Sequence, residues 1–194
     1  MGITARLIDG AERKFGQKLD YLRDMASASP AAFYKFAFFL AFAKHRKAAP
    51  LEAYYLASIG ALLSEDCGPC LQIAVNQALA EGVNPSVISS AVAGGASLDA
   101  DRKLYLDFGR TVSANLPEAE ELRLKIAEKL SPAAMVELAI AIASARLFPA
   151  LKRGLGYAKS CSLMQIKVPG LEPKTSGFTE SQSLGESQST MKFG

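Results

Sequence analysis

The residues best suited to chemistry in this chain are Cys67 and Cys70, held three apart in the run Cys67-Gly68-Pro69-Cys70. Positions i and i+3 of a helix share a face, with Cβ atoms about 5–6 Å apart, so a small adjustment brings two sulfurs to bonding geometry. The spacing predicts a helix that opens at Cys67, where unpaired backbone N–H groups and the helix dipole favour a thiolate. Pro69 then falls in the first turn, where its missing donor does no harm. Ser64, Glu65 and Asp66 precede the pair and are expected to cap the helix. The thiolate is the reactive form of cysteine, so the residues read as an accessible Cys67 nucleophile. Cys70, one turn deeper, reads as the resolving thiol that converts a mixed disulfide or sulfenic acid into an internal disulfide. The carboxylates of Glu65 and Asp66 oppose the dipole by raising a neighbouring thiol's pKa. Which of the two prevails is left open by the sequence.

A structural zinc site needs four ligands, and beyond this pair the chain offers only Cys161 and its single histidine, His45, neither in paired spacing. No metal and no cofactor are therefore expected. A thioredoxin carries the same tetrapeptide inside a β-α-β pattern, and no such pattern is present. Buried cysteines that only pack remain an open alternative, because a free thiol behaves as a small hydrophobe.

The elements that must position the pair read as helices throughout. Phe15, Leu19, Leu22 and Met25 recur at helical spacing over 12–26. Pro30 opens a helix to about Ala43, and Pro50 opens another to about Ser64. The helix carrying the dithiol runs to Gly82, and Asn84-Pro85 restarts the chain until Gly94-Gly95. Further helices are expected over about 98–115, from Pro117 to Leu130, and from the Ser131-Pro132 cap to Gly154, the last kinked or interrupted at Pro149. A short amphiphilic piece to about Met164 follows. No pair of alternating β-branched runs is joined by a tight turn, so strand content should be negligible. The expected fold class is all-α, with a helical domain over 1–167. From 168 to 194 the residues turn to Gly, Pro, Ser, Thr, Glu and Gln, which predicts a flexible tail.

The formal charge of +3 is mixed in sign along the chain. The one dense basic run, Lys44-His45-Arg46-Lys47, follows an apolar helix and reads as a solvated C-terminus suited to the dipole. Nucleic acid is not an expected partner. The apolar run Phe36–Ala43 falls far short of the roughly 20 residues of a membrane span. The 132–151 stretch holds Glu137, Arg146 and Pro149 and reads as a buried helix. With no secretory signal pattern at its start, the sequence leads to an expectation of a cytoplasmic protein without a membrane anchor.

A helical chain with C-x-x-C opening a helix resembles the AhpD-like branch of the carboxymuconolactone decarboxylase family. The matching stretches are LEAYYLASIGALLSEDCGPCLQIAVNQALAEGV (51–83) and LSPAAMVELAIAIASARLFPALKRGLG (130–156), about a third of the chain. The resemblance implies an AhpD-like helical bundle that forms a homo-oligomer, whether dimer, trimer or hexamer. It also implies antioxidant peroxidase or disulfide-reductase activity through Cys67 and Cys70, in either order of attack, with electrons from a disulfide-reducing partner. The family's proton relay uses a glutamate twelve residues before the first cysteine and a histidine four after the second. Here those positions hold Tyr55 and Ala74. Glu52, one turn from Tyr55, is a candidate replacement, and Tyr55 a candidate hydrogen-bond partner for a sulfur. General acid–base help contributes about 10²–10⁴-fold, so weak or atypical peroxidase activity is expected. The alternative is a non-catalytic helical homo-oligomer with a structural or redox-switch cysteine pair. Cys161 reads as a packed or spare thiol.

Overall fold

The computed structural model describes residues 2–157 and 165–171, and the backbone of 174–175. Among these the chain forms nine helices: α1 Ile3–Phe15, α2 Asp20–Ala28, α3 Pro30–Ala43, α4 Leu51–Ser64, α5 Gly68–Ala80, α6 Pro85–Val92, α7 Ala100–Ser113, α8 Glu118–Ala127 and α9 Pro132–Gly154. The only strands described are Gln165–Ile166 (β1) and Lys174–Thr175 (β2), paired antiparallel. The fold is all-α.

α4 is apolar on all sides, and a helix of that pattern belongs in the middle of a core. It is buried along ten of its fourteen residues and packs against α5, α6, α7 and α9. Its crossing with α7 depends on reciprocal glycines. A Cβ on Gly60 would lie 2.0 Å from the Leu106 carbonyl oxygen, and one on Gly109 would lie 1.9 Å from that of Ala57. Two hydroxyls tie the backbones together across this seam: Ser64 donates to the Arg110 carbonyl at 3.2 Å and Ser113 to that of Ala61 at 3.2 Å.

A smaller apolar cluster, built on Ile8, Leu19, Tyr21, Leu22 and Phe33, joins α1, α2 and α3 and meets Ile73 of α5 and Leu151 of α9. The helix expected over 12–26 is two helices. Gly16 adopts φ 65° and caps α1, with its N–H bonded to the Glu12 carbonyl, a left-handed conformation that glycine takes without penalty. The side chain of Glu12 then accepts from the Leu19 N–H at 2.9 Å, at the start of α2.

Pro149 does not interrupt α9, which continues for a further turn to Gly154. Its buried positions Leu138, Ala141, Ala145, Pro149 and Lys152 form one stripe, and packing of that stripe offsets the lost ladder bond. At the other end of the helix, the buried Glu137 carboxylate accepts N–H bonds from Lys47, Ala48 and Ala49 at 2.7–3.1 Å. This fixes the loop between α3 and α4. The packed chain continues past the boundary expected at 167: Val168 is buried, and Gln72 of α5 clamps Lys167 by donating to its carbonyl and accepting from its N–H. The amphiphilic piece expected up to Met164 and most of the expected tail lie outside the described residues.

Candidate active site

Cys67 is the N-cap of α5 and Cys70 completes its first turn, with the Leu71 N–H bonded to the Cys67 carbonyl at 2.9 Å. The expected cap does not form. Ser64 is engaged with α7, and the Glu65 carboxylate is ion-paired with Arg146 (3.1 Å) and Arg153 of α9. Burial opposes ionisation of Glu65, but hydrogen bonds from the two guanidiniums hold its carboxyl below the usual range. Its charge is thereby compensated locally instead of falling on the thiols. Asp66 takes φ 47°, a left-handed turn that redirects the chain into α5.

Both cysteines are buried, Cys67 being 2% and Cys70 7% exposed. The Cys67 thiol donates to the Cys70 sulfur across 2.7 Å. That hydrogen bond, then burial, pushes the Cys67 thiol far above its ordinary pKa, so Cys67 is the sulfur that keeps its proton. On the far side of Cys70, the ammonium of Lys152 donates to Sγ at 3.9 Å. Lys152 is 7% exposed and lies 5.6 Å from the Tyr21 ring centroid. A buried ammonium is costly unless paired with negative charge. Among the described residues no carboxylate lies within ion-pair distance of Lys152, so the Cys70 sulfur is the group placed to balance it. Burial first, and then the neighbouring Cys70 and Cys67, raise the pKa of the Tyr21 hydroxyl.

Cys70 also lines a cavity of about 560 Å³ at the seam between the α1–α3 cluster and the α4–α5–α9 core. Cys67 does not line it. Of the two sulfurs, Cys70 is therefore the one at the cavity wall. Tyr55 and Ala74 both line the same cavity. Burial first, and then the neighbouring Glu81, raise the Tyr55 pKa, so its hydroxyl stays a donor. Ala74 contributes only a methyl wall. Glu52 does not line the cavity and is bonded to Arg102 of α7 at 2.8 Å. His45 is about half exposed and sits 3.7 Å from Glu137, away from the sulfurs. Cys161 lies outside the described residues. Among the described residues, no three His, Cys, Asp or Glu side chains converge as a metal-binding set.

Comparison with protein-family models, curated proteins and solved structures found no match.

The residue missed by the sequence reading is Lys152. Its signal was present: Leu138, Ala141, Ala145 and Pro149 lead by steps of three and four to position 152, which puts a lysine on the apolar stripe. Pro149, read as a kink or break in the helix, masks that periodicity. Ser144 was missed as well. Its hydroxyl lines the cavity, is buried, and has no hydrogen-bond partner among the described residues.

Proposed function

We propose that the chain is a dithiol oxidoreductase of AhpD-like type that reduces peroxides or disulfides through Cys70 and Cys67. The observation that supports this best is the buried Lys152 ammonium against Cys70 at the wall of a cavity. A cation beside a sulfur favours its thiolate, which is the form that attacks. With a hydroperoxide, the Cys70 thiolate attacks the terminal oxygen and the O–O bond breaks. Cys70 becomes a sulfenic acid, and the departing alkoxide takes a proton to leave as an alcohol. The Cys67 thiol then displaces the sulfenic hydroxyl as water and closes the disulfide. The sum is dithiol plus hydroperoxide giving disulfide, alcohol and water. A dithiol partner supplies the two electrons that reopen the disulfide. Lys152 takes the place of the family's relay in holding the thiolate, while Tyr55 is an O–H donor at the same cavity.

The family resemblance extends the proposal to a homo-oligomer and to a disulfide-reducing electron donor, and a reducing cytoplasm suits a dithiol that must be free at the start of each cycle. α9 is the only described helix long and apolar enough to cross a membrane, and buried core helices meet the same criterion.

The test is mass spectrometry of native protein after one equivalent of an organic hydroperoxide. The expected product is an internal Cys67–Cys70 disulfide, with Cys67→Ser trapping a sulfenic acid on Cys70 and Cys70→Ser giving no oxidation. A native dithiol left intact by both peroxide and oxidised dithiols overturns the reading. The near-complete burial of both sulfurs favours a second reading, a packing pair in a non-catalytic oligomer. That reading predicts that Cys70→Ser changes thermal stability or assembly while no oxidation is seen in the unmodified chain.

A further inference from the structure

The cavity beside Cys70 is larger than a small peroxide requires and differs in character along its walls. At about 560 Å³ it falls within the roughly 300–1,000 Å³ of sites for drug-sized ligands. Phe15, Leu19, Leu22, Leu40, Ile73 and Phe148 supply an apolar lining contributed by α1, α2, α3, α5 and α9. Lys14, Lys44 and Arg46 are the cations on it. Arg46 is matched by Glu81, at 3.3 Å. Lys14 and Lys44 have no carboxylate within ion-pair distance among the described residues, and they reach this one cavity from the C-terminal ends of two different helices. The Lys44 amine lies 5.3 Å from the Phe15 ring centroid. Partial desolvation there, and then the like charge of Lys14, lower its pKa. Glu81, on the same wall, attracts Lys44 from beyond ion-pair distance but is bonded to Arg46, so it offsets the Lys14–Lys44 repulsion only in part and an anion between the two lysines would relieve it further.

An independent observation comes from inside. A helical serine commonly turns its hydroxyl back to the carbonyl four residues earlier, yet the buried Ser144 hydroxyl makes no hydrogen bond among the described residues. An unsatisfied buried hydroxyl is costly, and it is relieved by a ligand with a polar atom part-way along an apolar body.

We infer that the substrate class is a long-chain carboxylate bearing a hydroperoxide on its hydrocarbon chain, its head at Lys14 and Lys44 and its peroxide beside Ser144 and Cys70. This deepens the redox reading above and rests on it. The chemistry is that already balanced: the hydroperoxy acid leaves as the hydroxy acid, one oxygen departs as water, and the dithiol becomes a disulfide.

Binding and redox steps are separated by using Cys70→Ser protein, which cannot turn over, in calorimetric titrations with dodecanoate and methyl dodecanoate. The acid is expected to bind about tenfold more tightly than the ester. The double variant Lys14→Met, Lys44→Met should remove that preference and leave ester binding unchanged, and the arginine pair should restore it. Octadecanoate is then compared with a mid-chain hydroxy-octadecanoate, a stand-in for the peroxide. The hydroxy acid should bind more tightly, and Ser144→Ala should abolish the difference. Equal affinity for acid and ester, or a preference indifferent to both lysines, overturns the inference even if hydrogen peroxide oxidises the wild-type dithiol. Conversely, tight and lysine-dependent binding with a wild-type dithiol inert to every peroxide leaves a carboxylate site and overturns its assignment as a redox substrate site.

Discussion

At the scale of single residues, the proposed chemistry depends on which of the two sulfurs ionises. Cys67 keeps its proton because it is spent on the hydrogen bond to Cys70, and Lys152 stands on the other side of that sulfur. Replacing Lys152 by methionine keeps the side-chain bulk and removes the cation. A loss of about one pKa unit of thiolate stabilisation means roughly tenfold slower alkylation of Cys70 at neutral pH. Iodoacetamide rates across a pH series check this, with Lys152→Arg expected to recover most of the rate. Glu137 gives a second test. Its backbone hydrogen bonds, led by the one from Ala49, lower its pKa below the ordinary 4.5 despite burial. A depressed carboxyl stabilises the fold above its unfolded pKa and loses that contribution as pH falls through the folded one. Stability should therefore decline below about pH 4.5, and Glu137→Gln should lower stability at neutral pH while flattening the decline. Urea midpoints measured between neutral and acid pH test the sign. The dithiol was legible in the sequence because its spacing is local. Lys152 stands 82 positions from Cys70, and no local pattern joins them.

At the scale of elements, proline and glycine punctuation located most helix ends correctly, since caps are local chemistry. It failed where packing outweighed propensity: α9 runs through Pro149, and Gly16 divides a stretch whose apolar spacing reads as continuous. The α4–α7 crossing was not legible at all. Gly60 and Gly109 each face a carbonyl of the other helix, a juxtaposition that only the folded chain creates. A methyl group there has no side chain to displace, only backbone. Gly109→Ala should destabilise by about 1–3 kcal/mol or more, read as a lower denaturant midpoint with unchanged helical circular dichroism in the native baseline. Gly82→Ala also replaces a glycine but meets no atom within 4 Å. It should cost only the penalty of its positive φ, about 1 kcal/mol.

At the scale of the whole molecule, helical spacing and the lack of alternating β-branched runs joined by a tight turn led to the right fold class, and α4 lies at the centre as its all-round apolarity requires. The cavity was invisible from sequence, because its lining comes from six helices and from residues between 11 and 148. The proposed self-association also belongs at this scale. Tyr34, Phe38 and Phe42 repeat every fourth residue along the outer side of α3 and are 44%, 81% and 52% exposed. If copies of the chain bury this stripe, Phe38→Asp should shift the sedimentation coefficient toward that of the monomer and leave helical content intact. An unmodified chain that already sediments as a monomer removes the oligomer from the proposal.

The contact between Lys152 and Cys70 has an unusual effect on the two redox forms. Once the sulfurs are joined, neither can carry a negative charge, and the Lys152 ammonium is left with no carboxylate within ion-pair distance among the described residues. A bridge closing so short a loop constrains the unfolded chain only slightly, so this stranded charge should dominate. The bridged protein should melt at a lower temperature than the dithiol, the reverse of what a covalent cross-link ordinarily does. By the same thermodynamic cycle the couple should be poised toward accepting electrons, and the last turn of α9 is the part of the fold expected to loosen when the bridge forms.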